Sequence, residues 1–227
     1  GTACPIMPKV SATCKVMHIG INNPFFEYNM GNRVLDCVES EKDLGIVITS
    51  NLKLSAQCIY AYNKASKVLG MINRTITYKS ADILLPLYKS LVRPRVEYGV
   101  SAWSPYYNKD KDLIERVQHR FTRMIKKLCH VDYNDRLKSL GLWTLEERRN
   151  RSDLIEVFKM YKGFVNLNFH QFFAVDDKIK GTRGHSGKIK KVRCEKDVRR
   201  YFFSYRMVNR WNALDDETVS ASEVDAF

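Results

Sequence analysis

The chain has 227 residues, enough to bury a hydrophobic core in one or two domains, and its hydrophobic and charged fractions of 44% and 28% are ordinary for a globular protein. Its formal net charge of +13 is concentrated in residues 51–130, which hold 15 Lys/Arg and 5 Asp/Glu, a net of +10. Positive charge on a folded segment favours nucleic acid as the partner, and because no run reaches the ~20 apolar residues that span a bilayer, we expect no membrane insertion.

Residues 1–50 predict a small β-rich unit. Residues 14–19 are a short strand-like run, and residues 28–37 predict a hairpin with Gly31-Asn32 at its turn. Residues 42–50 are apolar and β-branched, which predicts a third strand.

Helical periodicity begins at Ser55, a residue type favoured at the N-cap. The predicted apolar face of this first helix comprises Ile59, Tyr62, Val68, Leu69 and Ile72. Ser80 predicts the start of a second helix, in which Pro86 indicates a kink or a later start. Pro94 is expected to bend or end this helix near Arg93, because the residue before a proline avoids helical backbone.

The most informative segment is residues 110–128, which predict one long helix with two distinct faces. One face is apolar and comprises Leu113, Ile114, Val117, Phe121, Met124, Ile125 and Leu128. The other carries cations stepped by four, three and four residues: Arg116, Arg120, Arg123 and Lys127. Like charges in such a row repel by about a few tenths of a kcal/mol per pair. The row therefore indicates a surface for a polyanion, although a solvated basic face explains the pattern equally well.

Residues 131–227 predict a helical extension that contains a basic loop. A helix over residues 134–140 should end at Gly141, and the pair Thr144 and Glu147 forms a capping box that opens a helix through Met160. Residues 172–193 have no period and are rich in glycine and lysine, which predicts a mobile basic loop. Residues 201–214 predict the last helix.

Chemistry-bearing motifs are absent from the sequence. The acid pairs Asp176-Asp177 and Asp215-Asp216 do not lie between strand-like runs, so we interpret them as loop or helix-edge acids rather than metal ligands. The cysteines are scattered without a Cys-x-x-Cys pair, which predicts reduced thiols rather than a zinc site. We therefore expect no catalytic residue, no metal site and no cofactor in this chain.

Cations and aromatic residues are interleaved in the basic region, as in proteins that contact phosphates and stack bases. Tyr88 and Trp103 are favoured as core residues, whereas Tyr106 and Tyr107 are the better candidates for stacking. The predicted nucleic-acid contacts are Lys89, Arg93, Arg95, Tyr106, Tyr107, Arg116, Arg120, Arg123, Lys126 and Lys127. Contacts of this kind carry no sequence information.

Several segments of the chain resemble the reverse transcriptases of non-LTR (LINE, jockey-like) retrotransposons. The most specific is Arg93-Pro-Arg-Val-Glu-Tyr-Gly-Val-Ser-Ala-Trp-Ser-Pro. The resemblance covers nearly the whole chain and continues in residues 41–48, 51–55, 65–74, 87–92, 113–120, 136–142, 145–149 and 205–214.

The resemblance implies an α+β fold, mostly α, in three parts. Residues 1–50 would be a palm remnant whose hairpin over residues 41–48 supports the primer end, residues 51–130 a thumb-like helical bundle, and residues 131–227 a helical extension. The implied partners are RNA, RNA–DNA hybrid and the upstream palm and fingers of the parent polymerase. The implied location is the nucleus or cytoplasm.

The same resemblance places the catalytic Asp-Asp motif upstream of Cys14, so we do not expect this chain to polymerise alone, and Mg²⁺ is implied only for the intact parent. Thr13 stands where relatives often carry a lysine, which leaves a proton-donating role there unsupported. Two alternatives remain open. The chain could be a stand-alone RNA- or DNA-binding module, or a degenerate remnant without function.

Overall fold

A computed structural model describes residues 14–20, 22–176 and 185–227 of the chain, which has an α+β fold, mostly α. The chain divides into two units, Gly1–Gln57 and Cys58–Phe227. The named strands among the described residues are two to four residues long, and all of them lie in the first unit. The described helices lie almost wholly in the second unit.

The first unit is built from short strand pairs. Strand β1 (Lys15–Val16) pairs in parallel with β4 (Asp36–Cys37). Strands β2 (Asn29–Met30) and β3 (Arg33–Val34) pair in an antiparallel hairpin. Gly31 occupies its turn with a φ of 62°, a conformation that favours glycine. The hairpin predicted for residues 28–37 is therefore confirmed for residues 28–35, whereas residues 36–37 pair with β1 instead.

A second hairpin replaces the single strand that the residue pattern predicted over residues 42–50. Strand β5 (Ser40–Asp43) pairs antiparallel with β6 (Ile46–Thr49) around Leu44 and Gly45, which both have positive φ. Two consecutive residues with positive φ are typical of the two-residue hairpin turn, whose backbone twist matches that of the paired strands. The prediction of one continuous strand was wrong because a leucine masked this turn, although the family resemblance implied a hairpin here.

Among the described residues of the first unit, no hydrophobic side chain is buried. Phe25, Phe26 and Leu44 are 64%, 65% and 83% exposed. Polar contacts also link parts of the unit. The side-chain oxygen of Gln57, for example, accepts a hydrogen bond from the backbone of Val47 at 2.9 Å. This unit therefore has little apolar burial to stabilise it.

Helix α1 (Ser55–Thr75) begins where predicted, and its buried face contains the predicted Leu69 and Ile72 but is centred on smaller side chains. Its buried side chains are Cys58, Ala61, Ala65, Leu69 and Ile72. Ile59, predicted to lie in the core, is 51% exposed. The small side chains of this face escaped prediction because the large apolar residues dominate the periodic pattern.

The second helical segment runs through a change of helix type. Helix α2 (Ala81–Leu87) leads into a π-helical turn (Tyr88–Val92) and then into α3 (Arg93–Glu97). Of the two outcomes predicted at Pro94, a bend or an end near Arg93, the end does not occur, because α3 continues to Glu97. The π-helical turn widens the hydrogen-bond spacing just before this proline, as shown by the bond from the Arg93 amide to the carbonyl of Tyr88 five residues earlier.

Helix α4 (Asn108–Met124) is the central helix of the second unit. It was predicted to continue to Leu128, but Ile125 adopts extended backbone and is buried, and a 3₁₀ turn follows at Lys126–Leu128. The buried face of α4 includes Ile114, Val117 and Phe121, as predicted. Phe121 stacks on Tyr88 with ring centroids 4.0 Å apart.

Gln118 anchors a buried polar network on the same helix. Its side-chain oxygen accepts a hydrogen bond from the Tyr88 hydroxyl at 2.8 Å, and its side-chain nitrogen donates to the Trp143 carbonyl at 2.9 Å. The network fixes α4 against the preceding helical segment and the chain at Trp143, because buried polar groups are costly without partners.

The next two helices have the predicted termini. Helix α5 (Tyr133–Leu140) ends at Gly141, whose φ is 59°. Helix α6 (Leu145–Lys162) opens with the predicted capping box, in which the Thr144 hydroxyl and the Glu147 carboxylate each accept a backbone hydrogen bond from the other residue. Caps of this kind contribute about 1 kcal/mol each.

The C-terminal region is a set of short helices around an aromatic core. These helices are α7 (Phe169–Phe172), α8 (Asp197–Arg200), α9 (Phe203–Arg206), α10 (Val208–Asn212) and α11 (Asp216–Ser220). The prediction of one helix over residues 201–214 was therefore wrong. Asp215 caps α11 by accepting a bond from the Thr218 amide, which agrees with its interpretation as a helix-edge acid.

Several described residues of the segment 172–193 pack into the C-terminal core. Val175 pairs with Ile189, and His185, Gly187 and Ile189 are buried. Trp211, fully buried, donates its ring N–H to the Gly187 carbonyl at 2.8 Å. The prediction of an irregular segment is confirmed for these parts, but the burial of His185, Gly187 and Ile189 depends on tertiary contacts that periodicity does not reveal. Residues 177–184, with Asp177 and two of the predicted loop glycines, lie outside the described residues.

Candidate nucleic-acid interface

Helix α4 presents three of the predicted cations to solvent. Arg116, Arg120 and Arg123 are exposed, whereas the opposite face of the helix packs into the core. The three residues span roughly 10 Å along the helix axis, since each residue rises ~1.5 Å. A strand of duplex DNA presents one phosphate per ~3.4 Å of axis, so the row matches about three phosphates.

A groove between α1 and α4 runs beside this row. We call it the α1–α4 groove and define it by two adjoining cavities of about 420 and 400 Å³ that share Arg120 and Arg123. From α1 it is lined by Tyr62, Leu69, Gly70 and Asn73, and from α4 by Asp112, Glu115, Arg116, His119, Arg120, Arg123 and Met124, together with Lys79 and Lys126. The cations therefore lie along a concave surface rather than on an isolated helix.

The row does not continue as predicted. Lys127 lies in the 3₁₀ turn after the end of α4, whereas Lys126 lines the α1–α4 groove. Lys79 also lines it and donates a hydrogen bond to Asn73 at 2.6 Å. Lys79 was missed because it lies far from α4 in sequence, and no spacing rule connects a loop residue to a helix formed thirty residues later.

The groove cations are not neutralised within the described chain. Arg116, Arg120, Arg123 and Lys126 form no ion pair with any residue that the structure describes. By contrast, Arg93 pairs with Glu97 at 3.5 Å, and Glu97 also binds Arg148. Four unpaired cations on one concave surface attract an anionic partner.

Two titratable groups at one end of the groove are shifted away from charge. Burial raises the pKa of Glu115, although its hydrogen bonds with Tyr133 and the Leu145 amide oppose the shift. Burial, with Arg136 and Arg123 nearby, lowers the pKa of His119, whose ring stacks on Tyr133 at 3.5 Å. His119 is therefore neutral at pH 7 and does not add to the positive charge.

The other predicted contacts are distributed over the helical unit. Lys89 and Arg95 are exposed on the segment formed by the π-helical turn and α3, and they do not line the two cavities of the groove. Tyr88 and Trp103 are fully buried, as the sequence favoured.

The two tyrosines before α4 are packed against each other and against a third. The ring of Tyr106 stacks on Tyr201 with centroids 4.2 Å apart and planes 3° from parallel, and it also contacts Tyr107. Tyr107 is 40% exposed, and Lys109 lies over its ring at 5.6 Å. Tyr107 therefore has the freer ring for stacking.

Neither metal nor membrane features accompany the groove. Within residues 14–20, 22–176 and 185–227, no cluster of three or more His, Cys, Asp or Glu could hold a metal ion, so these residues do not fit a Mg²⁺ site. In the same residues, every helix is too short or too polar to cross a bilayer.

Comparisons of the chain with protein-family models, curated proteins and solved structures gave no match.

Proposed function

We propose that the chain is the thumb-containing part of a non-LTR retrotransposon reverse transcriptase, and that its α1–α4 groove binds the template–primer duplex as RNA or RNA–DNA hybrid. The supporting observation is the row of Arg116, Arg120 and Arg123, which is exposed, unpaired within the described chain and set along a groove. The row is long enough to contact several phosphates of one strand, and the opposite face of α4 packs into the core.

The chemistry of the groove is that of positioning rather than catalysis. Guanidinium groups bind phosphate oxygens irrespective of base identity. A polymerase needs such sequence-independent binding because the sequence of the bound duplex changes at every step. The catalytic metal and its carboxylates would belong to the palm and fingers of the parent enzyme, the protein partner of this chain. A parent of this kind acts in the nucleus or cytoplasm.

A second candidate function is that of a stand-alone nucleic-acid-binding module. The observation that favours it is the separate compactness of Cys58–Phe227, which carries both the groove and the buried apolar residues. Such a module would not need to distinguish a duplex from a single strand. A remnant without function, the third reading, would bind neither.

Competition binding separates these functions. Unlabelled RNA–DNA hybrids of unrelated sequence are expected to displace a labelled hybrid with midpoints that agree within about threefold, because phosphate contacts dominate the affinity. Single-stranded RNA of the same length should compete more weakly.

Equal competition by single strands and hybrids would favour the stand-alone module. A strong preference for one hybrid sequence would contradict phosphate-only binding. A folded chain that binds none of the probes at low salt would leave the remnant as the better explanation.

A further inference from the structure

Another cavity, of about 340 Å³, lies between the chain before α4, helix α6 and the short C-terminal helices. It shares no lining residue with the two cavities of the α1–α4 groove. Its volume is within the range of roughly 300–1,000 Å³ that is common for small-molecule sites. We call it the Arg149 cavity, after an α6 residue that also lines a separate cavity of about 250 Å³ beside Glu97 and Arg148.

Arg149 is a buried cation whose two terminal nitrogens lack a hydrogen-bond partner among the described residues. Its side chain is 2% exposed, and neither terminal guanidinium nitrogen has a hydrogen-bond acceptor among the described residues. An arginine remains charged in proteins, and burying an unpaired charge is among the most costly arrangements in a protein. Unused donors on such a side chain favour an acceptor in a cavity that it lines.

The charges around Arg149 are arranged for an anion. Arg210 and Lys191 line the same cavity and are exposed at its rim, where Lys191 donates a hydrogen bond to Asn209 at 3.0 Å. The cavity also contains the Glu146 carboxylate, but the Lys111 ammonium binds it at 2.6 Å. Lys111 thus offsets the one acidic group of the lining.

Other carboxylates near Arg149 are already engaged. Glu115 accepts hydrogen bonds from Tyr133 and from the Leu145 amide, and Glu97 binds Arg148. These groups favour the charge on Arg149 at a distance without satisfying its N–H donors. The donors therefore remain available to a ligand.

An aromatic wall completes the cavity. Tyr106 and Tyr201 line it as a stacked pair, and Tyr205 lies beside them. A polar cation cluster next to rigid aromatic rings suits a phosphate group that is attached to an organic moiety.

We propose that the Arg149 cavity binds a phosphate oxyanion, with the Arg149 guanidinium as the buried ligand and Arg210 and Lys191 as rim ligands. The phosphate could belong to a free nucleotide or to the end of a nucleic-acid strand. This site does not depend on duplex binding in the α1–α4 groove, with which it shares no residue.

The test is isothermal titration calorimetry of the full chain at constant ionic strength with three kinds of probe. These are inorganic phosphate, thymidine 5′-monophosphate, and a short oligothymidylate with or without a 5′-phosphate. The variants Lys191→Gln and Arg210→Gln should each weaken phosphate binding about tenfold, the loss of one charge-assisted hydrogen bond. Lys190→Gln is the matched control, since this neighbouring exposed lysine does not line the cavity, and it should leave binding unchanged.

Arg149→Met should abolish phosphate binding, and the rim variants decide the question if this variant fails to fold. Tighter binding of the 5′-phosphorylated oligomer than of the nucleotide would assign the phosphate to a strand end, and the reverse order would assign it to a free nucleotide. No phosphate binding by the folded wild-type chain would overturn the proposal. So would undiminished binding by a folded Arg149→Met variant, which would make Arg149 a structural residue.

The two sites can fail separately. Substitutions in the α1–α4 groove should leave the inorganic phosphate titration unchanged. Lys191→Gln and Arg210→Gln should leave the affinity for an RNA–DNA hybrid within about threefold of wild type, since exposed single charges have modest effects.

Discussion

Replacing Arg116, Arg120 and Arg123 together by glutamine is expected to weaken RNA–DNA hybrid binding by roughly 500-fold at 0.1 M salt. Each phosphate contact adds about 0.9 to the slope with which log affinity falls against log salt concentration. Relative to 1 M salt, one contact therefore increases the affinity at 0.1 M by a factor of about eight. Glutamine preserves helix propensity, and all three residues face solvent, so α4 should remain folded. Fluorescence anisotropy with a labelled hybrid measures the effect, and circular dichroism checks the fold.

The matched control removes three exposed cations elsewhere: Lys64, Lys138 and Arg151. Lys64 lies on the side of α1 opposite the groove. It follows the groove residue Tyr62 by two positions, and each position turns an α-helix by about 100°. This variant has the same net charge as the groove variant but should lose less than about fivefold in affinity. Equal losses in both variants would show that net charge, and not the α4 row, binds the nucleic acid.

Replacing Arg206 by methionine is expected to lower the free energy of unfolding by about 3–5 kcal/mol, the usual cost of breaking a buried ion pair from one side. Arg206 in α9 donates to both carboxylate oxygens of Asp153 in α6, at 2.9 and 3.0 Å. It also donates to the carbonyls of Val100, Ser101 and Tyr201. The substitution therefore removes the donor from two buried acceptors, the Asp153 carboxylate and the Val100 carbonyl, and urea unfolding measures the loss.

The same variant should show a distinct pH dependence. Burial raises the pKa of Asp153 above its ordinary value, although the hydrogen bonds from Arg206 oppose the shift. A carboxyl group with a raised folded-state pKa contributes stability below its unfolded pKa of ~3.9 and loses that contribution as pH rises through the folded pKa. Removing Arg206 raises this pKa further. The loss of stability caused by Arg206→Met should therefore become smaller as the pH falls from about 7 to about 4, because Asp153 is then protonated.

Two further variants make the Arg206 result interpretable. Arg206→Met combined with Asp153→Asn should recover part of the lost stability, because the unpaired buried charge is gone. Arg199→Met, on the exposed surface of α8, should change stability by less than about 0.5 kcal/mol. A loss of the same size in Arg199→Met would contradict a specific role for the buried pair.

Local signals in the sequence predicted the parts of the fold that local chemistry determines. The start of α1 at Ser55, the end of α5 at Gly141 and the capping box at Thr144 each depend on a few neighbouring residues, and each is present. The exposed row on α4 follows in the same way from the helical period of Arg116, Arg120 and Arg123.

The features that the sequence did not predict depend on contacts between distant residues. The end of α4 at Met124 accompanies the burial of Ile125, and the packing of Gly187 depends on Trp211. The α1 wall of the groove and the isolated guanidinium of Arg149 likewise exist only once separate helices meet. Periodicity reports which face of a helix is apolar, but it does not report what that face meets.

The most direct test of nucleic-acid binding in the α1–α4 groove is the salt dependence of the wild-type affinity for an RNA–DNA hybrid, measured by fluorescence anisotropy. If Arg116, Arg120, Arg123 and Lys126 contact phosphates, the slope of log affinity against log salt concentration should be about −3 to −4, and it should become shallower by about 3 in the triple glutamine variant. A slope that is the same in both proteins, or a folded wild-type chain that does not bind at low salt, would mean that the row is a solvated helix face.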